Sequence, residues 1–321
     1  MNHQRIELPT TVFSDKTSER EFLKVVNYRG SMSNVNTATK SGPPWTDSMG
    51  QSPWLGKVRT YEEYQQLRLP RWIDPFKIKP AHDIILDGFN GLGGFETTFR
   101  LGLELWLEGH GFLYREALSC NKTSLNARMR ASLQYLFEVF NPQPDQSVYI
   151  TEQVTPMFQE LSRDFANIIG SEYLLDTPLG EKKDGVLCQD IMNLTFDDNV
   201  FDFVLSFDVI EHVPDYRKAF REIYRTLKPG GVLFFTVPIT LTSRVSHVRA
   251  KIDEKGELIH LLPEEYHGNP LGPPSLCFTS FGFDLLDDMR QCGFSDCYAE
   301  LYANIELGYW GEAQPMLVAV K

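Results

Sequence analysis

Four acidic residues are spaced as the ligand-facing groups of a single sheet would be. Glu152 precedes Glu172 by 20 residues, Glu172 precedes Asp190 by 18, and Asp190 precedes Asp208 by 18. Each follows a short, mostly apolar stretch: Ser147–Ile150, Asn167–Ser171, Val186–Gln189 and Phe201–Phe207. Open α/β sheets bind ligands outside the carboxyl ends of their strands, so carboxylates there can accept hydrogen bonds from hydroxyls and amines. Singly, each acid could equally be a surface or helix-capping carboxylate; the series of four carries the chemical reading. Three histidines could remove a proton from a hydroxyl or amine near neutrality. His212 comes just after the fourth strand and is either a base or a pocket wall. His260, between Ile259 and Leu261-Leu262, reads as packed or surface-exposed. His267 lies in a turn-prone Tyr266-His267-Gly268-Asn269-Pro270 run and is the candidate base, with a solvated loop histidine as the alternative.

The elements that must position these groups are legible around them. Phe201–Phe207 is an apolar run interrupted only by Asp202 and Ser206, as in a strand covered on both faces of a parallel sheet. Tyr216–Leu227 carries Phe220, Ile223, Tyr224 and Leu227 at helical spacing, and Lys228-Pro229-Gly230-Gly231 ends it before a second buried strand, Val232–Val237. Strands alternating with a helix imply parallel crossover units. Thr155-Pro156 pairs a good N-cap with a good first helical residue, which aims a helix N-terminus at the same strand ends, where a ligand carboxylate is favoured.

Asp190, Phe201-Asp202, the Asp208–Val213 run and Leu227–Gly231 together resemble class I S-adenosylmethionine-dependent methyltransferases, most nearly the type 11 small-molecule subgroup. The resemblance is clear over 147–237 and looser to the C-terminus. It implies a Rossmann-like α/β fold: a seven-stranded, mostly parallel sheet flanked by helices, with the last strand antiparallel and an N-terminal extension. It further implies S-adenosylmethionine as cofactor, S-adenosylhomocysteine as product, and a small-molecule acceptor methylated on O, N or C. The positions it marks as cofactor-binding are Thr151, Glu152, Gln153, Glu172, Tyr173, Asp190, Ile191, Phe207, Asp208 and Val209. In that scheme Glu172 holds both ribose hydroxyls, Asp190 the adenine amino group, the Ile191 N–H a ring nitrogen, and Phe207 and Asp208 the methionine half. The chain departs from the pattern after its first strand, where Thr151–Pro156 has no glycine to let backbone approach a ligand closely. A catalytically silent methyltransferase-like binding protein is therefore the alternative. A nicotinamide dehydrogenase is weaker, because no Gly-x-Gly-x-x-Gly follows the first strand.

The net charge of −12 argues against a nucleic-acid partner, which requires clustered Lys and Arg, and no apolar run of membrane-spanning length occurs. Five scattered cysteines fit reduced thiols and a cytoplasmic setting, and no metal site is read from them. The expected organisation is an arm with short helices over 1–80, a helical cover over 81–140 and the methyltransferase domain over 141–321. Trp45 and Trp54 suggest that the arm docks on the protein, with a homodimer through it as a further expectation. Asp83–Gly94 mimics a nucleotide loop, but no acid ends a strand about 20 residues later, so Gly88–Gly94 reads as a tight turn. Glu96–Leu107 and Ser124–Phe140 read as helices, Arg115, Arg128 and Arg130 as anion ligands or salt-bridge partners, and Lys251–Pro274 as a long, polar, structureless lid.

Overall fold

The structure, a computed structural model, describes residues 52–321 except 70, 71, 73, 77 and 270. The docking of Trp45 and a dimer through the arm lie outside the described residues. In chain order the main elements are β1 (Trp54–Val58), α1 (Tyr61–Gln66), β2 (Ile84–Asn90), β3 (Phe95–Leu101), β4 (Leu118–Cys120) and α2 (Ala127–Tyr135). There follow β5 (Ser147–Ile150), α3 (Pro156–Asp164), β6 (Asn167–Gly170), β7 (Phe201–Phe207), α4 (Tyr216–Thr226), β8 (Leu227–Thr236), α5 (Leu285–Gln291), β9 (Asp296–Asn304) and β10 (Tyr309–Val320). One seven-stranded sheet has the order β1-β9-β10-β8-β7-β5-β6. Strands β6, β5, β7 and β8 are parallel, and the last strand, β10, runs antiparallel to β8. This is the expected Rossmann-like α/β architecture.

The described residues fall into two compact units. One comprises Gly56–Arg68, Leu136–Leu301 and Pro315–Lys321. Its parallel strands are apolar on both faces: Val148, Ile150, Val204, Leu205, Phe234 and Phe235 are all fully buried. Helix α4 starts where the Asp215 side chain accepts from the Lys218 N–H and buries Tyr216, Ala219, Phe220 and Ile223, of which Phe220 and Ile223 belong to the stripe read in the sequence. Helix α3 begins as expected, with the Thr155 hydroxyl accepting from the Phe158 N–H and Pro156 in the first turn. The Lys228-Pro229-Gly230-Gly231 stop becomes a bulge in β8: Phe201 pairs with Leu227 but Phe203 with Val232. Gly230, at φ +79°, makes that bend.

Three expectations in this unit are corrected. The strand anticipated before Asp190 does not join the sheet; Val186–Leu187 pairs back on Lys182–Lys183, and only an isolated parallel bridge, Glu172 to Cys188, marks its place. The seventh strand is instead β1, from the segment read as an arm. Lys251–Pro274 is not structureless, since Ala250–Ile252 pairs with Leu258–His260 and Tyr266–His267 with Ser275–Leu276.

The other unit comprises Leu69–Tyr135, Tyr302–Gln314 and the described residues up to Leu55. Here the expected helix Glu96–Leu107 is in fact strand β3 up to Leu101, paired antiparallel with β2 and β4, and then a 3₁₀ turn, Leu103–Leu105, and a short strand, Trp106–Leu107. Its Phe95-Glu96-Thr97-Thr98-Phe99-Arg100-Leu101 sequence buries Thr97, Phe99 and Leu101, a period of two that the longer apolar run obscured. The cover read as helical is thus built largely of strands over 84–120, with the short helix Tyr114–Ala117 among them and α2 as its main helix. The glycine cluster makes the β2–β3 turn, and Gly88 itself lies within β2. Arg128 pairs with Glu116 at 2.6 Å. Arg130 is fully buried, donates to the Leu118, Leu125 and Gly308 carbonyls and stacks on Phe99 at 4.2 Å. Tyr309 and Trp310 are buried, and the Tyr309 hydroxyl donates to Gln134.

Candidate functional site

Strands β5, β6 and β7 end together, because they are parallel and in register, and the residues that follow them form one edge. Thr151, after β5, donates its hydroxyl to Ser206 on β7 at 3.0 Å, which ties the loop root to the sheet. The loop without glycines is then held by Glu172, after β6. One oxygen of that carboxylate, Oε1, accepts from the Gln153 N–H at 2.8 Å and the Val154 N–H at 3.1 Å. Gln153 reaches onward, accepting from the Leu187 N–H and donating to the Gly185 carbonyl. Burial pushes the Glu172 carboxyl above its usual range, against the pull of those two N–H groups. The close approach that a glycine loop would supply comes from β6 instead: a Cβ on Gly170 would stand 2.7 Å from the Glu152 carbonyl oxygen and 2.6 Å from the Phe158 ring.

The remaining strand-end residues are individually ordered. Glu152 is 8% exposed, and Tyr173 is open to solvent. Asp190 accepts from the Met192 N–H at 2.8 Å, an Asx turn that fixes the backbone around the buried Ile191. Phe207 is buried at the end of β7. Asp208 follows it at φ +55°, a left-handed conformation that aspartate tolerates better than most residues, and accepts from the Thr236 hydroxyl at 2.9 Å. That turn delivers Val209 and the 3₁₀ helix Ile210–His212.

His212 and His267, chosen separately in the sequence, are neighbours. Their ring centroids are 4.9 Å apart and nearly perpendicular. Between them stands Glu211, which sequence reasoning missed. Its side chain is 1% exposed, with Oε1 at 3.5 Å from His267 Nδ1 and 3.7 Å from His212 Nε2. Each ring is fixed from its other side. His212 Nδ1 lies 2.8 Å from the Leu276 carbonyl, and His267 Nε2 lies 3.1 Å from Glu265. Glu265 in turn meets Arg249 at 3.1 Å. Burial raises the Glu211 carboxyl above its usual range, and Glu211 beside His267 raises that imidazole above its own. The available signal was the Glu-His dipeptide one turn after a strand end, together with Glu265 in the Glu-Glu-Tyr-His run. His260, by contrast, sits on the Leu258–His260 strand and faces Glu264 at 3.4 Å.

Residues 152–235 match the family model described as a methyltransferase domain. A stretch of 48 residues is 48% identical to phosphoethanolamine N-methyltransferase 2 of Caenorhabditis elegans, spanning 15% of this chain and 11% of that protein. A stretch of 44 residues is 52% identical to demethylmenaquinone methyltransferase of Staphylococcus epidermidis, spanning 14% of this chain and 18% of that one. The chain thus matches less than a fifth of the length of either relative. Among solved structures, an S-adenosylmethionine-dependent methyltransferase from Mesorhizobium loti aligns over 59% of this chain and 98% of its own, at 13% identity and a TM-score of 0.39.

Proposed function

We infer that this chain, in which residues 152–235 form a methyltransferase domain, moves the methyl group of S-adenosylmethionine to an O, N or C nucleophile of a small-molecule acceptor. The observation that carries the reading is the single edge formed by the carboxyl ends of β5, β6 and β7, where Glu152, Glu172 and Asp208 follow successive parallel strands, within the matched segment. The residues present fit the cofactor. Both loop N–H groups fall on one oxygen of Glu172, so Oε2 is left to accept from a diol. Asp190 and the Ile191 backbone would hold the base, and Phe207, Asp208 and Val209 the amino-acid half. The loop of Thr151, Glu152 and Gln153, with the α3 N-terminus behind it, lies toward the carboxylate end. Tyr173 would cover the adenosine face.

The bound sulfonium would supply an already activated methyl group, so the chain's own work is alignment and water exclusion. Glu172 fixes the loop and the ribose position at once. The turn at Asp208 sets the distance between the end of β7 and the histidine pair. His212 Nε2 and His267 Nδ1 both face Glu211 and supply the polar groups on the acceptor side of that turn.

Calorimetry with S-adenosylhomocysteine tests the reading first: a single site of micromolar or tighter affinity is expected. Transfer of a labelled methyl group to a panel of small hydroxyl and amine acceptors tests it second. Binding without transfer to any acceptor would favour the catalytically silent alternative, and absence of binding would overturn both.

A further inference from the structure

The geometry points to a divalent-cation site formed by Glu211, His212 and His267, suited to a borderline metal such as Zn2+ or Co2+. Its starting point is hydrogen-bond accounting. The Leu276 carbonyl can only accept, so His212 must carry its proton on Nδ1 and present a lone pair on Nε2. Glu265 accepts from His267 Nε2, which leaves the lone pair of the neutral ring on Nδ1. Both lone pairs face Glu211 Oε1. Among the described residues, neither oxygen of that carboxylate accepts a hydrogen bond, although the side chain is almost wholly buried. With His267 neutral, three electron-pair donors thus converge in one buried place, where a further proton or a bound cation relieves their repulsion.

A cation resolves this arrangement. The Glu211, His212 and His267 ligand atoms all lie within 4.8 Å of one another. Ligands held about 2.1 Å from a tetrahedral centre stand about 3.4 Å apart, close to the 3.5 and 3.7 Å separations here. Two imidazoles and one carboxylate suit zinc and its borderline neighbours and leave positions open to other ligands. Each ring also shows the outer hydrogen bond typical of metal-bound histidine, to a carbonyl for His212 and to a carboxylate for His267. Glu265, His267 and Cys277 form a second grouping, but Glu265 is held by Arg249 and the Cys277 thiol donates to the Thr279 carbonyl. Glu265 is therefore the orienting group and Glu211 the ligand.

The use of this cation in turnover rests on the methyl-transfer reading: its open positions would hold oxygen atoms of the acceptor beside Asp208. Binding of the cation does not rest on that reading. Full-length protein stripped with EDTA would be titrated with Co2+ alone, following visible d–d absorption and thermal stability. One equivalent should bind, with a charge-transfer-free d–d band and a raised melting temperature. Glu211→Gln and His267→Gln should each abolish the band, and Glu265→Gln should weaken binding by roughly 10-fold or more. His260→Ala, a histidine outside the group, should bind as wild type does. If wild-type protein gives neither band nor shift, the site is overturned without recourse to any variant. It is equally overturned if Glu211→Gln and His267→Gln bind Co2+ with unchanged affinity. Cobalt binding without affinity for S-adenosylhomocysteine would remove the functional reading and keep the site, and the converse would do the reverse.

Discussion

Glu172 shows how one side chain can replace a feature that the backbone lacks. The loop after β5 has no glycine, and the carboxylate of Glu172 holds its Gln153 and Val154 N–H groups in place. Glu172→Ala should therefore weaken S-adenosylhomocysteine binding by roughly 2–4 kcal/mol, because charge-assisted hydrogen bonds to loop and ligand are lost together. Unchanged affinity by calorimetry would remove Glu172 from the site. Glu172→Gln should be milder, since its amide oxygen still accepts. The pH dependence follows from burial. A carboxyl raised in the folded state binds more protons there than in the unfolded chain, so its contribution to stability falls as pH rises between the unfolded and folded values and grows as pH drops through that window. Glu172→Gln lacks this titration. The stability of wild type relative to Glu172→Gln should thus improve as the solution is acidified below neutrality; a pH-independent difference in denaturant midpoints would contradict the burial argument.

At the scale of elements, what was legible depended on how local the signal was. Helix α4 and strand β7 declared themselves through periodicity alone, and α3 through Thr155-Pro156. Strand β3 did not, because Leu101-Gly102-Leu103-Glu104-Leu105 continues its apolar run and hides the alternation of Thr97, Phe99 and Leu101. The strand before Asp190 was over-read: its residues find an antiparallel partner in Lys182–Lys183, a local pairing cheaper in chain entropy than a long crossover. The edge strand β1 was invisible because pairing with β9, from the far end of the chain, leaves no nearby mark in the sequence. In the site, the strand-end acids were readable from spacing, whereas Glu211 and Glu265 owe their role to the pairing of Tyr266–His267 with Ser275–Leu276, well after β8, which holds His267 beside them. Gly170 ends the short apolar stretch before Glu172, and its close approach to the loop became apparent only in three dimensions. Gly170→Ala should press on the Glu152 carbonyl and the Phe158 ring and destabilise the fold by about 1–3 kcal/mol. It should also lower ligand affinity by shifting the loop. Wild-type melting and wild-type calorimetry in this variant would show that the loop has room that the structure denies.

For the whole molecule, charge and organisation bear on different questions. A net charge of −12 leaves little attraction for a phosphate backbone, and no helix among the described residues is long and apolar enough to cross a membrane. Of the three arginines read as anion ligands or salt-bridge partners, Arg115 and Arg128 pair with Glu116, while Arg130 is part of the packing of its own unit. Its guanidinium is the partner of three carbonyls brought from separated stretches, Leu118, Leu125 and Gly308, and lies between the Phe99 and Tyr309 rings. Arg130→Ala would take a side-chain donor from each of these carbonyls, of which Leu125 keeps the Cys120 N–H, and would leave a cavity beside Phe99, a loss of about 3 kcal/mol or more. Arg130→Lys should recover only part of this, since an ammonium cannot reproduce a planar fork between two rings. The effect should be local. Hydrogen exchange should accelerate in 84–135 and 302–314, while S-adenosylhomocysteine affinity in the folded fraction stays at the wild-type value. The opposite pattern, full protection of those segments with a raised KM for an anionic acceptor, would return Arg130 to the substrate.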